Sequence, residues 1–248
     1  MTTDIPKKVL ITGASSGVGR SLAELLSENF HVIVASRRIE RLEEYYGGRE
    51  KFSVYQVDLG NPEDTALFSD RLFNEHRYIP YLINNAGVNS RGKMTQISMD
   101  TIKHSAQVNA LSPLFLVRKL LPAMRKNNFG RIINVTSGAP LNCFPGFGAY
   151  SASKGFLNAL TVTTAREHED YNIKINLMSP GPVRSEMSPD SDLDPEVCHP
   201  MTQHLLNLDS DGPTGKFFWL KYEVPLFPDL EGVQWLEGIG NDKLTEVL

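Results

Sequence analysis

A tyrosine and a lysine stand four positions apart at the start of a predicted helix, as Tyr150 and Lys154. Positions i and i+4 share one face of a helix, so the phenol and the ammonium point the same way. A nearby ammonium favours the phenolate and lowers the pKa of a tyrosine from its reference of about 10. Tyr150 is therefore a candidate general acid or base near neutral pH. Ordinary surface pairs have the same spacing, but only this one of the eight tyrosines has a lysine four residues later.

A glycine-rich stretch, Thr-Gly-Ala-Ser-Ser-Gly-Val-Gly at positions 12–19, joins the first predicted strand to the first predicted helix. Glycine permits a tight turn and lets a pyrophosphate approach the backbone, where free N–H groups and the helix dipole stabilise its charge. The stretch predicts a phosphate loop for a dinucleotide; an ordinary glycine-rich turn is the alternative. The predicted cofactor contacts here are Gly13, Ser15, Ser16, Gly17, Val18 and Gly19.

The second predicted strand ends in Ala35-Ser36-Arg37-Arg38. About 20 residues beyond the glycine loop, dinucleotide-binding folds carry an acidic residue for the ribose 2′-hydroxyl or an arginine for a 2′-phosphate. Ser36 is small and neutral and leaves room for a phosphate, whose geometry matches the guanidinium fork of Arg37. The sequence thus favours NADPH/NADP+ over NAD(H), with Arg37 and Arg38 as cofactor-binding residues. Solvated charges at a helix start are the alternative interpretation.

Short β-branched runs alternate with longer segments of helical periodicity along most of the chain. This alternation is typical of right-handed βαβ units that build a parallel sheet covered by helices on both faces. We therefore expect one doubly wound α/β domain, a Rossmann fold, over residues 1–248. The predicted strands lie at about 8–11, 31–35, 51–56, 81–84, 131–136, 174–178 and 216–220, and the predicted helices at about 18–29, 39–46, 98–126 and 149–171, with a further helix starting at 61.

Composition excludes several classes of function. The chain has 25 basic and 29 acidic residues, a net charge of −4, which argues against a general nucleic-acid binder. No apolar run reaches the ~18–20 residues that cross a bilayer, and the first residues lack the pattern of a secretory signal. Cys143 and Cys198 are interpreted as reduced thiols of a cytoplasmic protein. The six histidines show no metal-ligand spacing, so we expect no metal site.

Six motifs, taken together and in order, resemble the short-chain dehydrogenase/reductase family over roughly residues 7–187. Ser137 precedes Tyr150 by 13 residues, as it does in that family. The resemblance implies a sheet with strand order 3-2-1-4-5-6-7. The motifs are the glycine loop, Asn84-Asn85-Ala86-Gly87, Asn109, Ser137, the Tyr150/Lys154 pair and Ser179-Pro180-Gly181.

The resemblance assigns four residues to catalysis. Tyr150 would donate a proton to the carbonyl oxygen, or remove the hydroxyl proton in the reverse reaction. Lys154 would bind the nicotinamide ribose and lower the pKa of Tyr150, and Ser137 would hydrogen-bond the substrate oxygen. Asn109 would hold a water that links Lys154 to solvent. A buried amide that satisfies backbone groups is the alternative for Asn109.

The resemblance also implies contacts to the rest of the cofactor. Asp58 would bind the adenine, although an aspartate at a strand end is equally suited to cap a helix or form a turn. Ser185 stands where the family has a threonine and would anchor the nicotinamide carboxamide through the same hydroxyl. The full set of these implied contacts is Asp58, Leu59, Asn85, Ala86, Gly87, Tyr150, Lys154, Pro180, Gly181, Val183 and Ser185.

The C-terminal quarter departs from the simplest family pattern. Residues 186–207 are expected to form a polar substrate lid, and residues 211–219 resemble the carbonyl-reductase-type members. The tail at about 220–248 would be a strap on the core, a wall of the pocket or a dimer contact. Cys143, Phe144 and Phe147 would line the substrate side and favour an apolar or aromatic substrate.

The expected activity is NADPH-dependent reduction of a ketone or aldehyde, a small-molecule carbonyl substrate. Two alternatives remain open at this point: a cofactor-binding regulator or scaffold with little turnover, and an alcohol dehydrogenase that works in the oxidative direction. No nucleic-acid or membrane partner is expected. By resemblance alone, the long helices that contain Asn109 and Tyr150 would pair in a homodimer or homotetramer.

Overall fold

The computed structural model describes residues 7–228, 230–234, 236 and 241–245. Trp235 and the other tail residues outside these ranges carry no structural description. The described strands are β1 Lys8–Thr12, β2 His31–Ser36, β3 Phe52–Gln56, β4 Tyr81–Asn84, β5 Gly130–Val135, β6 Ile173–Ser179, β7 Phe217–Trp219 and β8 Tyr222–Val224.

These strands form one sheet in the order β3-β2-β1-β4-β5-β6-β7-β8. Strands β1 to β7 pair in parallel, which confirms the doubly wound α/β fold and the predicted order. The last strand, β8, was not predicted; it pairs antiparallel to β7 through a turn at Leu220, whose φ is 52°.

The helices follow the strands as the βαβ pattern requires. They are α1 Gly17–Leu26, α2 Ile39–Tyr46, α3 Pro62–His76, α4 Met99–Ala106, α5 Ser112–Lys126, α6 Ala139–Asn142, α7 Gly148–Arg166 and α8 His199–Leu206. Asn61 caps α3 as its sequence position suggested, because its Oδ1 accepts from the backbone N–H of Glu63 at 2.9 Å. None of the helices in the described ranges is long and apolar enough to cross a membrane.

Alternate residues of each central strand enter the two halves of the core. Val9 and Ile11 pack with α1 and α8 on one face of the sheet, whereas Leu10 packs with α3 and α5 on the other. A parallel strand buried on both faces reads as a continuous apolar run, which is why these strands were recognisable in the sequence.

Two regions differ from the predicted elements. The single long helix expected at about 98–126 is divided into α4 and α5 by a π-helical turn, Gln107–Leu111, with Asn109 at its centre. The region expected to be an irregular lid contains a 3-10 turn, Pro195–Cys198, and then α8. Met201 and Leu205 of α8 are buried in the core, so the second half of the predicted lid is a packed element.

Candidate active site

A cleft of about 920 Å³ opens at the carboxyl edge of the parallel strands. Ligands of open α/β sheets bind at this edge, where the strand order reverses between β1 and β4. The loops that follow β1, β2, β4, β5 and β6 all contribute side chains or backbone to the cleft. It therefore receives residues from every predicted motif except Asn109, which is buried behind it.

The glycine loop lies under the cleft and has no room for a side chain at Gly13 or Gly19. Gly13 adopts a φ of 71°, and a Cβ there would lie 2.8 Å from the Cα of Ala86. A Cβ on Gly19 would lie 2.4 Å from both the carbonyl oxygen of Gly13 and Nδ2 of Asn85. These glycines are needed for the close approach of α1 and of the loop after β4 to the phosphate loop.

Asn85 braces the phosphate loop. Its Nδ2 donates to the carbonyl oxygen of Thr12 at 2.9 Å, and Thr12 Oγ1 accepts from the backbone N–H groups of Asn85 and Ala86 at 3.1 Å. The N-terminus of α1 points into the cleft with no side-chain cap from Ser16. Its first-turn N–H groups and positive dipole end suit a diphosphate, so this loop fits a dinucleotide.

Hydroxyl and guanidinium groups gather beside the loop at the end of β2. Arg38 donates to Ser15 Oγ at 3.1 Å and to Ser16 Oγ at 2.8 Å, and Ser15 Oγ lies 2.9 Å from Ser36 Oγ. Arg37 is largely exposed at the rim of the cleft, with its Nε 4.0 Å from Oδ1 of Asp58. Both arginines thus border the region beside the loop where the ribose of a dinucleotide would lie.

Asp58 also forms a turn, because its Oδ1 accepts from the backbone N–H of Gly60 at 2.9 Å. Asp58 and Leu59, which are predicted to contact the cofactor, both line the cleft. Arg41 was not predicted. Its only sequence signal is its spacing of three residues from Arg38, the residue that precedes α2.

The side chains of Ser137, Tyr150 and Lys154 meet at the other end of the cleft. Ser137 Oγ accepts from the backbone N–H of Ala139 at 3.1 Å, and the same hydroxyl acts to lower the pKa of Tyr150. Lys154 is buried and donates from Nζ to the carbonyl oxygen of Val135 at 2.7 Å. Burial lowers the pKa of this lysine to about 8.

The expected effect of Lys154 on Tyr150 is not observed, and this corrects the sequence-based expectation. Burial raises the pKa of Tyr150, and only the hydrogen bond to Ser137 opposes that shift. The ammonium of Lys154 is engaged with the carbonyl of Val135, so desolvation of the phenol dominates.

Asn109 is fully buried and holds the loop that follows β4. Its Oδ1 accepts from the backbone N–H of Val88 at 2.8 Å, and its Nδ2 donates to the carbonyl oxygen of Val88 and to Ser153 Oγ, both at 2.9 Å. These contacts are those of the buried-amide alternative. A Cβ on Gly87 would lie 3.2 Å from Asn109 Oδ1 and 3.6 Å from Lys154 Nζ, so glycine is the residue that fits between them.

Aromatic side chains form the outer part of the cleft. Phe147 lies edge-on to Tyr150 with ring centres 6.5 Å apart, and Phe144 lies 6.2 Å beyond it. The guanidinium of Arg91 stacks on Phe147 at 4.6 Å. Cys143 does not line the cleft, contrary to expectation, because its thiol donates to the carbonyl oxygen of Pro140.

The segment after β6 and the start of the tail close the remaining side. Pro180, Gly181, Val183 and Ser185, which are predicted to contact the cofactor, line the cleft. A Cβ on Gly181, whose φ is 73°, would lie 3.1 Å from Nε1 of Trp219. Trp219 and Val224 also line the cleft, so the β7–β8 hairpin forms a wall of the pocket.

The comparisons with known proteins agree with this geometry. The family model described as short chain dehydrogenase matches residues 7–196. An uncharacterised oxidoreductase of Staphylococcus saprophyticus is 33% identical over 187 residues, which cover 73% of this chain and 76% of that protein. A 3-ketodihydrosphingosine reductase of Bacteroides thetaiotaomicron is 31% identical over 176 residues, or 71% of this chain and 64% of that protein.

Solved structures give the same result. A 4-hydroxyisoleucine dehydrogenase complexed with NADH is 28% identical, with a TM-score of 0.81 over 87% of this chain and 97% of that chain. Family model, relatives and fold therefore converge, and the chain belongs to the short-chain dehydrogenase/reductase family of oxidoreductases.

Proposed function

We propose that the protein reduces a ketone or aldehyde to an alcohol with NADPH, and that Tyr150 donates the proton. The observation that carries this proposal is that Ser137, Tyr150 and Lys154 line one end of the same cleft whose other end is formed by the phosphate loop. When bound, the cofactor supplies the hydride; the chain supplies position and the proton.

The protonation state of Tyr150 favours the reductive direction. Burial raises its pKa, so the phenol carries its proton at neutral pH. A protonated phenol is ready to donate to an oxygen that gains negative charge, whereas oxidation of an alcohol begins with a group that must accept a proton. The hydroxyl of Ser137 would hold the same oxygen and stabilise that charge.

Lys154 would bind the ribose hydroxyls next to the nicotinamide. Its pKa of about 8 leaves it mostly protonated at pH 7, so it keeps donors for a diol. Its present acceptor, the carbonyl oxygen of Val135, fixes the amine at the floor of the cleft. Asn109 would act as a positioning residue, through Val88, on the backbone beside this amine.

The choice of NADPH rests on the charges around the adenosine end. Arg37 and Arg38 border it, and Ser36 stands where an acidic side chain would select an unphosphorylated ribose. Both cofactors occur among solved structures with this fold, since one is a complex with NADH and another a complex with NADP. The apolar outer part of the cleft, with Phe144 and Phe147, suits an apolar or aromatic carbonyl compound.

The two cysteines are free thiols, which is consistent with a cytoplasmic protein.

The direct test of the proposed activity mixes purified protein with NADPH and a panel of aliphatic and aromatic carbonyl compounds. The absorbance of the reduced nicotinamide should fall with at least one compound. Tight NADPH binding without turnover on a broad panel would contradict catalysis and favour a regulatory or scaffold function.

A further inference from the structure

The carboxylate of Glu186 lies on two guanidinium groups at the rim of the cleft. Its Oε2 accepts from Arg38 Nη1 at 2.5 Å, and its Oε1 accepts from Arg41 Nη1. These hydrogen bonds hold the pKa of Glu186 below its usual value, and the bond from Arg41 contributes more than the bond from Arg38. Glu186 is therefore an anion at neutral pH, and it ties the segment after β6 to the start of α2.

Arg38 connects this ion pair to the nucleotide end of the cleft. The same guanidinium donates to the hydroxyls of Ser15 and Ser16 in the phosphate loop. Arg38, both serines and Glu186 all line the cleft. The carboxylate of Glu186 thus binds Arg38 at the corner of the cleft where the proposed function places the 2′-phosphate of the cofactor.

We propose that Glu186 is a specificity-determining residue, an anionic competitor built into the chain for the arginines that recognise the 2′-phosphate. The inference rests on the proposed function for the position of that phosphate. A doubly charged phosphate and a carboxylate repel each other on a shared guanidinium, so a 2′-phosphorylated nucleotide must displace Glu186. An unphosphorylated nucleotide leaves the ion pair intact.

Glu186 is connected to the nicotinamide end of the site through its neighbour in the sequence, Ser185. Ser185 and Ser188 form a tight turn, with hydrogen bonds between their backbone groups of 3.3 and 3.0 Å. Ser185 also packs on the phosphate loop, since a Cβ on Gly17 would lie 3.1 Å from its Cβ. Glu186 thus lies inside the turn whose first residue is Ser185, the predicted carboxamide anchor.

The effect is a few-fold one, because both ion pairs are partly exposed. The exposed fractions of the side chains are 39% for Arg38, 43% for Arg41 and 52% for Glu186. Exposed pairs contribute little each, and two of them change an affinity by about threefold to tenfold. A change of this size is measurable by titration. It alters the ratio of the affinities for the two cofactors and does not abolish the binding of either.

The test is equilibrium binding of 2′,5′-ADP and 5′-AMP to the full chain, as wild type and as Glu186→Gln. The variant is expected to bind 2′,5′-ADP about threefold to tenfold more tightly and 5′-AMP unchanged. The gain should shrink when Arg38 is also replaced by Gln. Glu24→Gln is the matched control: Glu24 pairs with Arg49 at similar exposure but outside the cleft, so neither affinity should change.

Neither nucleotide carries a nicotinamide, so this test does not depend on turnover. An equal change in both affinities, or an unchanged affinity for 2′,5′-ADP, in a Glu186→Gln protein with wild-type thermal stability would overturn the inference. The proposed reduction would then still stand. Conversely, a wild type that binds both nucleotides but reduces no carbonyl would overturn the proposed function alone.

Discussion

Replacement of Asn109 by alanine tests whether this buried amide positions the backbone beside the active site. The change removes four hydrogen bonds: two to the backbone of Val88 and one to Ser153, at 2.8 to 2.9 Å, and a longer one to Ser105 at 3.4 Å. A typical intramolecular hydrogen bond contributes about 1 kcal/mol, and an unpaired buried group costs more. Val88 is only half-buried, so water from the cleft replaces part of the loss.

We therefore expect Asn109→Ala to lower the free energy of unfolding by roughly 2–4 kcal/mol. The affinity for the cofactor should fall as well, because Val88 follows Gly87, which lines the cleft. Urea unfolding and cofactor titration measure the two effects. Asn127→Ala is the control: its exposed amide also donates to a backbone carbonyl, at 2.8 Å, but its loss should cost under about 0.5 kcal/mol.

Two results would refute this reasoning. A loss of stability no larger than that of the control would show that the two hydrogen bonds to Val88 do not hold the loop. A lower turnover with unchanged stability and unchanged cofactor affinity would instead assign Asn109 to proton transfer, as in the water-holding role that the family resemblance implied. The pH profile of turnover would then change in the variant and identify that role.

Two other predictions concern charge. Burial lowers the pKa of Lys154 from 10.5 to about 8, so the unfolded chain binds more protons between these values and stability from this group rises with pH. Wild type should therefore gain stability relative to Lys154→Met as the pH rises. The difference between their free energies of unfolding should increase by roughly 3 kcal/mol between pH 8 and 10.5. A difference that does not change with pH would contradict a buried amine. Arg37→Ala should weaken NADPH binding by about tenfold relative to NADH, as expected for a lost charge-assisted hydrogen bond; equal losses in the two titrations would contradict the assigned phosphate contact.

The central sheet could be predicted because its strands follow simple rules. Buried parallel strands such as β2 are continuous apolar runs, and each is followed by a helical segment. The last strand, β8, has three residues and no periodicity, so its pairing with β7 depends on tertiary structure alone. The helix α8 was not predicted because it contains Pro200 and follows a polar, proline-rich segment. The apolar pattern of its buried residues, Met201 and Leu205, is therefore hard to recognise in the sequence.

The site was predictable where chemistry depends on residue type and spacing, as for Ser137, Tyr150 and Lys154. It was not predictable where chemistry depends on burial or on contacts between distant residues. The raised pKa of Tyr150 follows from desolvation, which the sequence does not show. The contact of Glu186 with Arg38 joins residues 148 positions apart, so no local pattern signals it.

The central claim, that Tyr150 supplies the proton, is tested most directly by the turnover of Tyr150→Phe with NADPH and the best carbonyl substrate of wild type. Loss of a general acid costs about 10²–10⁴-fold in rate, so we expect kcat to fall by that factor. Tyr171→Phe is the control and should retain wild-type turnover, because Tyr171 accepts a hydrogen bond from Arg125 outside the cleft. A Tyr150→Phe protein that oxidises NADPH as fast as wild type would contradict the account.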